Sequence, residues 1–187
     1  MSEIKRNSGA SGLDIGVFYV FIFIILVTAD QLIKYIVVEN LGLYEQMPVI
    51  KDFFSIYYAQ NTGSAFSLFA DKAWGIYFLS GVSIVLGIGI FVLMIIASKS
   101  RMKLLALSFC LLSAGAIGNL IDRIRLKYVV DYLRFDFGSY TFPIFNLADI
   151  CAVIGTALVI CIIIFGAKYF ENFWNILFAK RKNGNAG

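Results

Sequence analysis

Histidine is missing from all 187 residues of this chain. Its absence removes His-based triads, Cys–His pairs and the commoner zinc sites in one step. Cysteine is scarce. Cys110, Cys151 and Cys161 all lie inside apolar runs, without CxxC spacing. A thiolate there has no neighbouring base to activate it, so the three read as reduced, structural residues. Charge is sparse as well, at 15% of residues with a formal net charge of +4, and nothing in its pattern suggests a nucleic-acid partner. Acid–base chemistry in such a chain must rest on carboxylates.

What the chain has in abundance is apolar sequence: 60% of residues are hydrophobic, with a mean hydropathy of +0.83. A soluble domain spreads its apolar residues periodically. Here they come in uncharged blocks, over residues 15–29, 73–98, 104–121 and 150–167. A helix needs roughly 20 residues to cross the hydrocarbon core, and the first block is long enough if it continues through Asp30 and Lys34 to residue 38. The pattern predicts one all-α polytopic membrane domain with four transmembrane helices over 15–38, 73–98, 104–121 and 148–170. A lead (1–14) comes first, loops cover 39–72 and 122–147, and an aromatic, basic tail covers 171–187. The basic lead before an apolar run also fits a signal peptide, with Val27-Thr28-Ala29 as its cleavage site. The three further spans, and the apolar character after Lys34, favour retention.

Within the first loop, residues 53–59 are aromatic and β-rich, Asn61-Thr62-Gly63 signals a turn, and residues 65–69 are apolar again. A small sheet at the membrane surface is expected there, with Phe and Tyr at the interface. The Lys/Arg tally is nine on the side of the termini and the 98–103 connection against six on the other. This places both termini in the cytoplasm, although the basic run after the third block opposes the rule.

Ionisable groups at membrane depth are costly, which makes each a functional-site candidate. They gather around residues 115–149, where Asp122, Asp131 and Asp149 stand at the edges of two successive blocks. Each candidate also has a plainer reading. Asp30 and Lys34, at i,i+4, make a neutralising ion pair. About 15 residues of helix, or roughly 23 Å, separate them from the amino-terminal edge, which puts them near the first loop. Asn61 and Gly63 make a turn. Ser113, Gly115 and Gly118 clear a helix face for a neighbour or a substrate chain, and Asn119 supplies an interhelical hydrogen bond. Arg123 and Arg125 satisfy helix-end carbonyls and snorkel. Asn146 with Asp149 three residues later resembles a capping box. A transporter reading competes with an enzyme reading, but it calls for acids at mid-membrane and broken helices. A third reading is a non-enzymatic assembly subunit.

Five stretches, in order, resemble the motifs of the signal peptidase II (lipoprotein signal peptidase) family. They are Asp30-Gln31-Leu32-Ile33-Lys34; Asn61-Thr62-Gly63-Ser64-Ala65-Phe66; Gly115-Ala116-Ile117-Gly118-Asn119 running into Asp122-Arg123; Val130-Asp131-Tyr132; and Phe145-Asn146-Leu147-Ala148-Asp149. The resemblance implies a bacterial inner-membrane aspartyl peptidase with its site near the outer face. Such an enzyme cuts prolipoproteins immediately before a diacylglyceryl-modified cysteine, uses no cofactor or metal, and works as a monomer among membrane phospholipids. It implies Asp131 and Asp149 as the catalytic pair. Asp30, Lys34, Asn61, Gly63, Gly115, Gly118, Asn119, Arg123, Asn146 and Ala148 fall on supporting positions. Asp122 and Asp136 do not match the pair. Two carboxylates in one small site cannot both ionise cheaply, so the pair holds a proton between them.

Overall fold

The computed structural model describes residues 11–63 and 74–179. Parts of the expected first loop (residues 65–69 and Lys72) and the basic tail Lys180–Lys182 lie outside the described residues. Four long helices make the body: α1 (Gly12–Asn40), α2 (Gly75–Lys99), α3 (Lys103–Leu126) and α4 (Leu147–Phe165). Each is long and apolar enough to cross a membrane. Val17, Phe21, Val85 and Val153 are more than half exposed on their outer faces, as suits a surface solvated by lipid. Central α3 packs on α1, α2 and α4.

α1 starts in a reciprocal cap, with Asp14 N donating to Ser11 Oγ at 3.1 Å and Ser11 N donating to Asp14 Oδ2 at 2.7 Å. α3 runs past the expected edge at residue 121 to Leu126, and only Lys127, in the left-handed region at φ 68°, ends it. The charged residues did not stop the helix because Asp122 and Arg123 are buried with partners inside the protein.

The second loop is not plain loop. Strands β1 (Gln46–Ile50), β2 (Phe54–Asn61), β3 (Val129–Phe137) and β4 (Tyr140–Thr141) form one antiparallel sheet in that order. The sequence located β2 alone, at residues 53–59; β1 went unlocated, and β3 becomes legible only through a partner about 70 residues away. Asn61 pairs with Val129 and Ala59 with Asp131. Val130 and Tyr132 then pack with Tyr58 and Val37, seating the sheet on the end of α1.

The fourth span also differs, ending at Phe165 rather than 170. Gly166 caps it, its N–H donating to Ile162 O at 2.8 Å, and a Cβ at Gly166 would lie 2.9 Å from that oxygen. A separate helix, α5 (Ala167–Ala179), follows. It packs onto the bundle. Phe173 is 2% exposed and packs against Phe109, joining the cluster that closes this end of the bundle with Ile15, Tyr19 and Met94.

Candidate active site

The amino terminus of α4 is where three parts of the chain meet. The first N–H groups of a helix lack internal partners, and here each is met by a side chain. Leu147 N donates to Tyr132 Oη at 3.2 Å, Ala148 N to Asp30 Oδ1 at 3.0 Å, and Asp149 N to Asn146 Oδ1 at 3.0 Å. Asn146 N returns a bond to Asp149 Oδ2 at 3.1 Å, completing the capping box. Two of these caps come from distant elements, β3 and α1, so the position of Asp149 is tied to both.

This arrangement needs close helix approach. A Cβ at Gly115 would run into the Ala148 carbonyl oxygen and lie 3.0 Å from Ala152 N. One at Gly118 would lie 2.8 Å from Asp30 Oδ2 and 3.0 Å from the Ala148 Cβ. The small residues of α3 therefore clear a face for α4 and for the Asp30 carboxylate. Ala148 is small for the same reason.

Asp131 arrives on β3, buried beside the cap. Its Oδ1 accepts from Asn146 Nδ2 at 2.7 Å and its Oδ2 from Asn61 Nδ2 at 2.9 Å. Asp149 Oδ1 accepts from Asn119 Nδ2 at 2.8 Å. Asn146 thus touches both acids, through its side chain and its backbone N–H. Burial first, and then the neighbouring Asp149, push the Asp131 carboxyl up to about 7, against the hydrogen bonds from Asn61 and Asn146 that favour its charged form. Asn61 is itself fixed by a turn, Gly63 N donating to its Oδ1 at 3.0 Å.

Asp131 and Asp149 line one cavity of about 280 Å³ with Asn61, Asn119 and Arg123. Its other walls are apolar, from Phe142, Ile144, Ala152 and Val153. A mostly apolar hollow with a few convergent polar groups is the usual form of a small binding site. Arg123 Nη2 reaches the Gly63 carbonyl at 3.5 Å, while its Nε is buried with no hydrogen-bond partner among the described residues.

Behind the cavity lies an ionic cluster centred on Lys34. Its ammonium meets Asp30 Oδ2 at 2.9 Å, Asp122 Oδ2 at 2.9 Å and Asn119 Oδ1 at 3.0 Å. Three donors meet three acceptors, which satisfies the ammonium fully. Each partner leads back to the site. Asp30 caps α4 through Ala148, and Asn119 holds Asp149. Asp122 accepts from Val130 N at 3.1 Å, one residue before Asp131.

The structure brings all twelve expected site residues into this one connected region. It adds two that sequence reasoning missed, Gln31 and Tyr132, and it places Asp122, a candidate acid outside the expected pair, in the supporting cluster. Gln31 Nε2 donates to Asp122 Oδ1 at 2.9 Å and to Gly118 O at 3.1 Å. Asp122 stands three residues after Asn119 on one helix face, which was the available signal. Asp136 lies apart, engaged by Arg134 Nε at 3.0 Å and Thr141 Oγ1 at 2.6 Å.

Comparison with known proteins adds the family. Residues 22–165 match the family described as signal peptidase (SPase) II. The lipoprotein signal peptidase of Clostridium tetani is 40% identical over 146 residues, covering 78% of this chain and 91% of that protein. The lipoprotein signal peptidase of Yersinia enterocolitica is 38% identical over 146 residues, covering 85% of its own length. Two solved structures described as a bacterial membrane enzyme superpose with TM-scores of 0.71 and 0.68, each at 29% identity. They cover 80% and 78% of this chain, and 89% and 92% of their own. With four apolar helices carrying the match, this multi-pass membrane protein belongs to the signal peptidase II family of peptidases.

Proposed function

We propose that the chain removes signal peptides from prolipoproteins by an aspartic-type mechanism in which Asp131 and Asp149 act as the catalytic pair. The observation that carries this reading is the shared cavity, lined by two acids that Asn146 touches simultaneously. Asp149 accepts an N–H at each oxygen beside the amino-terminal, positive end of α4, a placement that suits the base of the pair. Asp131, with its raised pKa, keeps the proton.

In the reaction, Asp149 takes a proton from a water as that water attacks the scissile carbonyl carbon, while Asp131 donates a hydrogen bond to the carbonyl oxygen. As the tetrahedral intermediate collapses and the C–N bond breaks, Asp149 returns the proton it took from water to the leaving amine, the new amino terminus of the mature lipoprotein. Arg123 lines the same cavity and supplies a fixed positive charge beside the two acids. Asn61, Asn119 and Asn146 hold the pair in register, Gly63 fixes Asn61 through its N–H, and Gly115, Gly118 and Ala148 provide the space.

The pH dependence follows from Asp131. The active form needs its proton, so raising the pH through about 7 removes the acid and the rate falls. A kcat/KM profile should decline on that side, and a flat profile up to pH 9 would speak against Asp131 as the proton holder.

The cut falls immediately before a diacylglyceryl-modified cysteine. Its acyl chains stay in the bilayer while the peptide bond rises to the pair at the boundary between helices and sheet. Purified protein should cleave a diacylglyceryl-modified prolipoprotein and leave the unmodified precursor intact. Equal cleavage of both would remove the lipid from the recognition scheme. The reading includes a monomer in the bacterial inner membrane, with both termini cytoplasmic and the sheet outside. The burial of Arg123 supports this orientation, since it takes one residue out of the opposing outer count. Single cysteines at Lys51 and Arg101 should label from opposite faces of intact cells; labelling from one face would overturn the topology.

A further inference from the structure

A second and larger hollow, of about 610 Å³, follows the seam between α1 and α3. Val27, Leu32, Tyr35 and Val38 of α1 and Leu126 of α3 give it apolar walls. Lys34 and Asp122 line its floor but offer a ligand little, because their polar atoms are already engaged with one another and with Asp30, Asn119, Gln31 and Val130. The free charge is at the mouth. Glu39 and Arg125 line the hollow there, each one residue from the end of its helix. Both are exposed, and neither has a hydrogen bond or ion pair among the described residues.

We infer that this groove holds a glycerophospholipid whose headgroup carries both a phosphate and a hydrogen-bonding ammonium. One acyl chain lies along the α1–α3 seam, the phosphate sits on Arg125 and the ammonium on Glu39. The length agrees: from Val27 to Glu39 is roughly 18 Å of helix, over half of the ~30 Å hydrocarbon core. The mouth lies where both helices end, at headgroup level. A guanidinium fork suits phosphate, and basic groups between transmembrane helices are a recurring way to hold lipid headgroups. A carboxylate beside it adds what an anionic lipid could not use.

A peptide fits less well. An extended strand needs backbone partners, and the satisfied floor has few to offer. A helix about 10 Å across and 18 Å long displaces roughly 1,400 Å³, more than twice the 610 Å³ present, so it would only ride on the rim.

The test is native mass spectrometry of the intact protein, mixed at equal concentrations with phosphatidylethanolamine, phosphatidylcholine or phosphatidylglycerol. The wild type should retain phosphatidylethanolamine about tenfold more strongly than phosphatidylglycerol. Phosphatidylcholine, whose ammonium has no N–H, should fall between them. Glu39→Gln should abolish the preference for phosphatidylethanolamine over phosphatidylglycerol. Arg125→Gln should weaken all three lipids, with Arg125→Lys restoring most of the loss. Equal retention of phosphatidylethanolamine and phosphatidylglycerol by the wild type, or variants that match it, overturns the proposal. So does loss of a dimer, or of bound prolipoprotein, in these variants in place of lipid, since that would make the occupant a second copy or the substrate.

Discussion

Replacing Lys34 with alanine is expected to destabilise the folded protein by about 3–5 kcal/mol, the usual cost of removing one partner from a buried ion pair. The effect is large because the ammonium has two carboxylates to neutralise, Asp30 and Asp122, each at 2.9 Å and each almost fully buried. Activity should fall as well, since Asn119 loses one of the two donors at its Oδ1, keeping only Asn146 Nδ2 at 3.1 Å, and is held less firmly against Asp149. Adding Asp30→Asn should recover part of the stability. An asparagine oxygen can still accept from Ala148 N, and one unpaired charge is gone, but Asp122 remains. Thermal unfolding of the single and double variants in the same detergent checks this. A Lys34→Ala protein with unchanged melting temperature and full activity would show the cluster to be unimportant.

The second large effect belongs to the acids in the cavity. Asp131→Asn and Asp149→Asn change shape little, but each acid accepts at both oxygens and an asparagine has only one. Each variant therefore sets an amide NH2 against an N–H donor, at a cost of about 1–3 kcal/mol, and should still fold. Turnover should suffer far more, because the loss of a general acid or base alone removes about 10²–10⁴ in rate. Loss of the pair's shared proton puts the expected fall at the upper end of that range.

The helices were legible because lipid permits no backbone to go unpaired, so spans must be long apolar blocks. Their ends were less so. α3 outran its apolar block because its charges at Asp122 and Arg123 are met by residues far away in sequence, and no local pattern reports that. β3 was hidden for the same reason, since its pairing with β2 is wholly non-local. Within the site, the local reading of Asn146 and Asp149 as a capping box describes real hydrogen bonds. The same asparagine also reaches Asp131, so cap and site are built from one residue. The bland reading of Asp30 and Lys34 as an ion pair was likewise true and incomplete. The sequence supplied the i,i+4 pair, while Asp122, Asn119 and the Ala148 N–H came only with the packing of α1 against α3 and α4.

The most direct measurement is single-turnover cleavage of a diacylglyceryl-modified prolipoprotein at saturating substrate, using Asp131→Asn and Asp149→Asn proteins shown to be folded and to bind it. Both should bind substrate and cleave it at least about 10³-fold more slowly than the wild type. Cleavage by either variant at close to the wild-type rate would contradict the catalytic pair and turn attention to Asp122.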